Sequence, residues 1–172
     1  MLGLPLANAH IVEDAEAAVR ISKYPPLGCR SMTGQLPLFG LRAQATPTVI
    51  SETNERGSSV ILMIETRSSI DNIEAIAGVP GVEALLIGSN DLAIELGVPG
   101  DFKSSEYRDA VRAVSEACTR HGKVLAFAGI YDNPEVQGWA VREMGARLIL
   151  GQQDSGLIAG SGKRCVEALS KL

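Results

Sequence analysis

The feature that most constrains the fold is a regular alternation between short apolar runs and longer amphipathic segments. The short runs contain few polar residues, which is typical of strands buried on both faces, and they occupy 59–65, 82–88, 123–129 and 147–151. The segments after them carry apolar residues at helical spacing and occupy 68–77, 104–121, 133–144 and 155–171. This alternation predicts βα units around a parallel sheet, and therefore an α/β fold.

The part of the chain before residue 59 is less regular. Residues 13–24 have the pattern of a helix that ends at Pro25-Pro26, and residues 2–6 have the composition of a short strand. Residues 25–56 are rich in Gly, Pro, Ser and Thr, with one helical patch at 47–56. An irregular stretch of this length inside a compact domain is usually functional or part of an interface.

The number of units leaves two architectures open. We count four strands, or five with residues 2–6, each followed by a helix, and we expect residues 1–172 to form a single domain. A complete eightfold βα barrel needs roughly 250 residues, so this chain is too short for one. A five-stranded flavodoxin-like sheet fits the length better. The pattern of residues does not distinguish that sheet from part of a barrel.

Composition excludes several classes of protein. The chain has a formal net charge of −4 and no run rich in Lys or Arg, which argues against a nucleic-acid partner. No stretch approaches the roughly 18 apolar residues of a membrane span, and the first residues lack the features of a secretory signal. Cys29, Cys118 and Cys165 are scattered and odd in number. They predict neither disulfides nor a metal site, and we expect a cytoplasmic protein.

Two carboxylates stand at the ends of neighbouring strands. Glu65 ends the run VILMIE, and Asp91 follows the run ALLIG one βα repeat later. Both should project from the carboxyl edge of the sheet, where parallel α/β proteins build their sites. Two converging carboxylates repel unless a cation neutralises them, and oxygen ligands suit Mg²⁺ or Mn²⁺. The alternative is that Glu65 pairs with Arg67 or another base and that Asp91 caps a helix starting at Leu92.

Other polar residues at the strand ends are weaker candidates. The segment Gly88-Ser89-Asn90-Asp91 offers successive backbone N–H groups at a strand-to-helix turn, which suits a carboxylate ligand, although a tight turn explains it equally well. We expect His10 to be solvated and His121 to be structural. Lys123 begins a strand, at the wrong end for a Schiff base. Residues 152–154 follow the last strand and border the expected pocket.

Three segments resemble a known family. The stretches KYPPLGCRS at 23–31, MIET at 63–66 and VPGVEALLIGSNDLAIELGVPG at 79–100 are similar to the HpcH/HpaI aldolases, which are metal-dependent class II pyruvate aldolases. The resemblance runs through essentially the whole chain. It implies a TIM (β/α)₈ barrel, of which this chain would be the C-terminal part, about five βα units, with the N-terminal units missing.

The resemblance also implies a site and a reaction. In the family, the residues matching Glu65 and Asp91 bind a divalent metal, Mg²⁺ or Mn²⁺ and possibly Co²⁺, and the turn matching Ser89, Asn90 and Asp91 grips the carboxylate of pyruvate. The implied reaction cleaves a 4-hydroxy-2-oxo acid to pyruvate and an aldehyde, with the metal stabilising the enolate. Family members are oligomers, so we expect a homo-oligomer.

Two departures from the family pattern bear on activity. Many members carry Gln where this chain has Met63. The family's catalytic His and its pyruvate-binding Arg belong to the first three βα units, and neither His10 nor Arg30 matches their motifs. We therefore assign no catalytic base within the chain and expect impaired turnover. The alternative is a non-catalytic fragment that binds a metal, a 2-oxo acid or an oligomeric partner.

Overall fold

The computed structural model describes residues 6–33 and 35–172, which form one five-stranded parallel sheet with helices between the strands. The strands are β1 (Leu6–Asn8), β2 (Val60–Ile64), β3 (Val82–Gly88), β4 (Val124–Ala128) and β5 (Leu148–Ile149). The α-helices are α1 (Val12–Ser22), α2 (Thr46–Glu52), α3 (Arg67–Asp71), α4 (Ile73–Gly78), α5 (Ser89–Glu95), α6 (Ser105–His121), α7 (Pro134–Arg142) and α8 (Asp154–Leu169). A 3₁₀ turn at Pro37–Phe39 and a π-helical turn at Thr53–Gly57 complete the regular structure.

The order of the strands decides between the two architectures. Each strand pairs in parallel with the next along the chain, giving the order β1-β2-β3-β4-β5. A flavodoxin-like sheet reverses its strand order at a switch point, whereas a βα barrel adds its strands in sequence. The described chain is therefore an arc of a TIM-barrel-like fold, which confirms the α/β class and the partial-barrel interpretation.

Both faces of the sheet are apolar: one packs against the helices, and the other is the inner face of the arc. Alternate residues of the central strands pack against the helices, with Leu62, Leu85 and Phe127 fully buried in that layer. The residues between them form a second cluster on the inner face of the arc, which includes Leu86 and Ala126. A fully buried side chain of this size contributes about 1.5–3 kcal/mol to folding. The absence of polar alternation in the strands follows from burial on both faces.

A buried lysine fastens the amino-terminal edge of the sheet. Lys23 Nζ donates to the carbonyl oxygens of Ser58, at 2.6 Å, and Asn54, at 3.0 Å, and to Glu83 Oε1 at 2.9 Å. The second oxygen of Glu83 accepts from the backbone N–H of Val60, where the ladder between β2 and β3 is irregular. We call these contacts of Lys23 and Glu83 the Lys23 clamp. The clamp lies at the edge of the sheet opposite Glu65 and Asp91.

Several predicted boundaries were wrong. The expected helix at 68–77 is two helices, because the backbone leaves helical geometry at Asn72. The helix after β3 begins at Ser89 and not at Leu92. The last strand is shorter than 147–151. Only residue 6 of the expected strand at 2–6 lies in the described part, where β1 begins, and residues 1–5 lie outside it.

The three cysteines differ in their exposure. Cys29 and Cys165 are exposed and free, and Cys118 is buried, which raises the pKa of its thiol to about 12. A buried neutral thiol of this kind is unreactive. Among the described helices, none has the length and apolar content needed to cross a bilayer.

Candidate functional site

Glu65 lies directly after β2, at the carboxyl edge of the sheet. The residue is half-buried and accepts no hydrogen bond or ion pair from the described residues. Desolvation raises the pKa of its carboxyl group, the charge of Asp91 raises that pKa further, and His10 opposes the shift. The two acids predicted from spacing are therefore close enough to repel each other, and neither forms an ion pair in the described part of the chain.

Two glycines make room for the side chains of this site. A Cβ atom built on Gly88 would lie 2.5 Å from Glu65 Oε2 and 3.1 Å from Glu65 Cβ. A Cβ atom on Gly129 would lie 3.0 Å from Asn90 Nδ2, and Gly129 also has a φ of +84°. Glu65 and Asn90 can therefore pack against the ends of neighbouring strands because these two positions carry no side chain.

The first turn of α5 presents the remaining predicted residues. Gly88 is the N-cap, and Ser89, Asn90 and Asp91 form the first turn, with Asn90 and Asp91 exposed and Ser89 fully buried. Burial raises the pKa of Tyr107 of α6 to about 12, and the buried Ser89 hydroxyl opposes that shift. The buried Ser89 therefore packs the start of this turn against α6.

The alternative explanation, in which Glu65 pairs with Arg67 and Asp91 caps a helix, does not hold in the structure. Arg67 Nε donates to the Glu95 carbonyl oxygen at 3.0 Å, so this guanidinium turns toward α5 and not toward Glu65. Asp91 lies within the first turn of α5 and is not its N-cap. Neither acid belongs to an ion pair among residues 6–33 and 35–172. Partners within the described chain therefore do not account for either carboxylate.

The donor set suits a hard cation with an incomplete protein shell. In the described part of the chain, no group of three or more His, Cys, Asp and Glu side chains comes together as a metal cluster. Two carboxylates with open coordination positions are a typical arrangement for Mg²⁺, which keeps waters or takes substrate oxygens. Desolvation and the charge of Asp91 both raise the pKa of Glu65, and a cation bound there would offset both effects.

A cleft of about 530 Å³ opens next to these carboxylates. Its floor is the apolar inner face of the arc, and its rim is formed by the loops after β3, β4 and β5. The lining residues are Ile61, Met63, Leu86, Gly88, Ser89, Asn90, Asp91, Ala128, Gly129, Tyr131, Leu148, Leu150 and Gln153. Concave, mostly apolar clefts with a few polar groups are the usual form of small-molecule sites.

Other residues considered from the sequence lie at different distances from this site. His10 follows β1 and is exposed, as expected, and its Nδ1 lies 3.2 Å from Thr66 Oγ1, next to Glu65, so it also borders the site. Arg30 stacks over Tyr24, its guanidinium carbon 5.0 Å from the ring centre, beside the Lys23 clamp. Lys123 Nζ donates to the carbonyl oxygen of Val82 at 2.8 Å, at the opposite edge of the sheet.

Sequence reasoning did not single out Tyr131. It lines the cleft from the loop after β4, together with Gln153 from the loop after β5. The only signal for Tyr131 was its place shortly after a strand predicted to end at 129, which it shares with many residues that never reach a cleft.

Comparison with known proteins links this architecture to one family. The family model described as HpcH/HpaI aldolase/citrate lyase matches residues 7–152. The 4-hydroxy-4-methyl-2-oxoglutarate aldolase cghB of Chaetomium globosum is 45% identical over 171 residues, which cover 99% of this chain and 64% of that protein. The 4-hydroxy-4-methyl-2-oxoglutarate aldolase tasA of Hapsidospora irregularis is 43% identical, over 99% of this chain and 63% of its own length.

Solved structures agree with the sequence comparisons. The HpcH/HpaI aldolase from Desulfitobacterium hafniense superposes with a TM-score of 0.84 at 27% identity, covering 98% of this chain and 63% of that one. Macrophomate synthase shares the fold, with a TM-score of 0.70 at 23% identity, covering 95% of this chain and 58% of that one. The chain spans a little under two thirds of the length of the curated relatives it matches. Its sequence and its fold place it in the HpcH/HpaI aldolase/citrate lyase family.

Proposed function

We propose that this protein is a carbon–carbon lyase, a pyruvate aldolase that cleaves a 4-hydroxy-2-oxo acid to pyruvate and an aldehyde or ketone. The observation that carries the proposal is the pair Glu65 and Asp91, two carboxylates without partners in the described chain, beside a cleft at the carboxyl edge of the sheet. Relatives named as 4-hydroxy-4-methyl-2-oxoglutarate aldolases, at 43% and 45% identity, support the reaction class.

Each part of the site has a task in this reaction. Cleavage removes the proton of the C4 hydroxyl and breaks the C3–C4 bond, whose electrons pass to C3 and the keto group as an enolate. C3 then takes a proton to give the methyl group of pyruvate. The backbone N–H groups of Ser89, Asn90 and Asp91 would bind the substrate carboxylate, and the apolar cleft floor would exclude water. We assign the proton transfers to no residue of this chain.

The cofactor we propose is a divalent cation, Mg²⁺ or Mn²⁺, held by Glu65 and Asp91. Such an ion would polarise the keto oxygen and offset the charge of the enolate. Its support is the unpaired carboxylate couple and the shift in the pKa of Glu65. Co²⁺ also accepts two carboxylates with water and is a third candidate.

Thermal unfolding tests the site directly. We expect Mn²⁺ and pyruvate together to raise the unfolding midpoint of the wild-type protein, because a ligand that binds only the folded state stabilises it. Asp91→Asn removes one carboxylate charge and should abolish this increase. The matched control is Asp71→Asn, which removes an exposed acid at the end of α3 and should leave the increase intact. If Mn²⁺ and pyruvate left the unfolding midpoint of the wild-type protein unchanged, the proposal would be contradicted.

A second function is favoured because no His, Lys or Arg is among the described residues that line the cleft. In this alternative the described site binds a cation and a 2-oxo acid without turnover. Exchange of the pyruvate methyl protons for deuterium separates the two functions. Exchange that requires Mn²⁺ and Asp91 supports the lyase, whereas ligand-induced stabilisation without exchange supports binding alone.

We also propose that the protein is a cytoplasmic homo-oligomer. Two of its three free cysteines are exposed, which favours a reducing compartment. Helix α8 buries none of its residues, and Ile158, Cys165 and Leu169 recur on one side of it. An apolar helix face left in solvent is typical of a surface that packs against another copy.

A further inference from the structure

The cleft continues past the Ser89–Asp91 turn toward the ends of β4 and β5. Its wall there combines apolar Leu148 and Leu150 with polar Tyr131 and Gln153. Apart from residues 89–91, Tyr131 and Gln153 are the only polar residues in the described lining. Within the described cleft, any further hydrogen bond to a bound ligand must therefore come from Tyr131, from Gln153 or from backbone groups.

The two loops that carry this wall are tied together by Gln152. Its Nε2 donates to Asp132 Oδ2 at 3.3 Å, and its Oε1 accepts from the backbone N–H of Gln153 at 2.9 Å. Asp132 has a φ of +54°, so the chain turns sharply directly after Tyr131. One amide side chain thus joins the loop after β4 to the loop after β5 and orients the backbone of Gln153.

We infer that Tyr131 and Gln153 bind the acceptor half of the substrate, the part released as the second carbonyl product, with Gln152 as a positioning residue. This inference rests on the proposed function. The turn at 89–91 and the two carboxylates take the C1 carboxylate and the C2 keto group. The C4 hydroxyl and the groups attached to C4 then lie in the rest of the cleft.

The chemistry of the wall indicates a substrate class. The Tyr131 hydroxyl and the Gln153 amide can each donate to an oxygen on C4 or next to it. Leu148 and Leu150 offer apolar surface to an alkyl group on the same carbon. The wall therefore offers both hydrogen bonds and apolar contact to the groups attached to C4 of a 4-hydroxy-2-oxo acid.

Two ligands separate the two halves of the cleft. Calorimetric titration with pyruvate probes the donor end alone. Titration with 4-methoxy-4-methyl-2-oxoglutarate, whose C4 oxygen carries no proton and which the proposed reaction therefore cannot cleave, probes both ends. Both titrations are done in the presence of Mn²⁺. Tyr131→Phe and Gln153→Leu each remove one hydrogen bond to the longer ligand, so its Kd should rise by about five- to tenfold. The Kd of pyruvate should change by less than about twofold. Gln44→Leu makes the matched change at an exposed position outside the cleft and should alter neither value.

The outcomes distinguish this inference from the function on which it rests. Equal weakening of both ligands would show that the wall serves the donor end, and an unchanged Kd for the longer ligand in both variants would show that it makes no contact. Either result overturns the inference and leaves the lyase proposal standing. Wild-type protein that binds neither ligand with Mn²⁺ would overturn both. Gln152→Met should reproduce the selective loss if its role is to position Gln153.

Discussion

The position of the Glu65 carboxylate requires a residue without a side chain at position 88. The residue has a φ of −82°, which any amino acid can adopt, so its lack of a side chain matters only for space. A methyl group there would meet both the Cβ and the Oε2 atoms of Glu65. The site thus depends on a glycine that carries no functional group.

Gly88→Ala should preserve the fold and displace the Glu65 carboxylate. We expect the increase of the unfolding midpoint by Mn²⁺ to be lost or strongly reduced, because the second carboxylate leaves the ion position. Thermal unfolding with and without Mn²⁺ measures this. Gly162→Ala in α8, where an added methyl group meets nothing within 4 Å, is the control and should keep the full response. A full Mn²⁺ response in the Gly88 variant would mean that Glu65 does not bind the ion.

The raised pKa of Glu65 predicts a pH dependence in metal-free protein. Because the folded state holds the proton of this carboxyl more tightly than the unfolded chain does, ionisation of Glu65 destabilises the folded state as pH rises. Glu65→Gln should therefore be more stable than the wild type at pH 7 and lose that advantage at pH values below the ordinary range near 4.5. Denaturant unfolding in EDTA at several pH values checks the sign. Glu143→Gln, at an exposed acid of the α7 end, should show no such trend.

At the scale of single elements, the two edges of the sheet have different tasks. The carboxyl edge holds the acids without partners, whereas the amino-terminal edge holds Lys23 with all three of its N–H donors satisfied. Satisfied buried charges stabilise a structure only while their partners remain. The Lys23 clamp joins the end of α1, the π-helical turn and β3. It therefore stabilises the part of the sheet whose opposite edge carries Glu65 and Asp91.

Lys23→Met should destabilise the protein by about 2 kcal/mol, because two carbonyl oxygens and one oxygen of Glu83 lose their donor. The Mn²⁺ response at the opposite edge should survive in the folded fraction. Urea unfolding gives the free energy of unfolding. Lys103→Met breaks the exposed pair with Glu135 and should cost less than about 0.5 kcal/mol. Equal losses in the two variants would contradict the role of the clamp.

On the scale of the whole molecule, α8 is the element least accounted for by the fold. It spans Asp154–Leu169, and none of its residues is buried, although its sequence has a clear apolar face. Ile158 is 72% exposed and Leu169 is 62% exposed. Such a helix gains stability mainly from packing, so a second copy of the chain is the partner we propose for it.

Ile158→Glu should shift the protein toward its monomer, because a charge in an apolar interface must be desolvated. Light scattering coupled to size-exclusion chromatography measures the mass, and circular dichroism checks that the fold is retained. Lys163→Glu changes the charge on another side of the same helix and should leave the assembly intact. A monomeric wild-type protein would contradict the proposed homo-oligomer.

The proximity of Glu65 and Asp91 could be predicted from the sequence because it follows from a simple rule. Parallel strands of successive βα units end at one edge, so residues directly after neighbouring strands come close whatever the loops do. The apolar strands, the α/β class and the exclusion of a disulfide framework came from equally local patterns. Each depends on burial or spacing within one unit of the chain.

Strand order, the size of the cleft and the wall at Tyr131 and Gln153 required the tertiary structure. The alternation of strands and helices is the same in a barrel arc and in a flavodoxin-like sheet, because the two differ only in whether strand addition reverses direction at a switch point. Tyr131 lies in a loop that turns at the positive φ of Asp132. Asp132 in turn accepts a hydrogen bond from Gln152, which is distant in sequence. Local patterns determine which residues are buried and where strands end, whereas the paths of loops depend on contacts between segments that the linear sequence does not show to be neighbours.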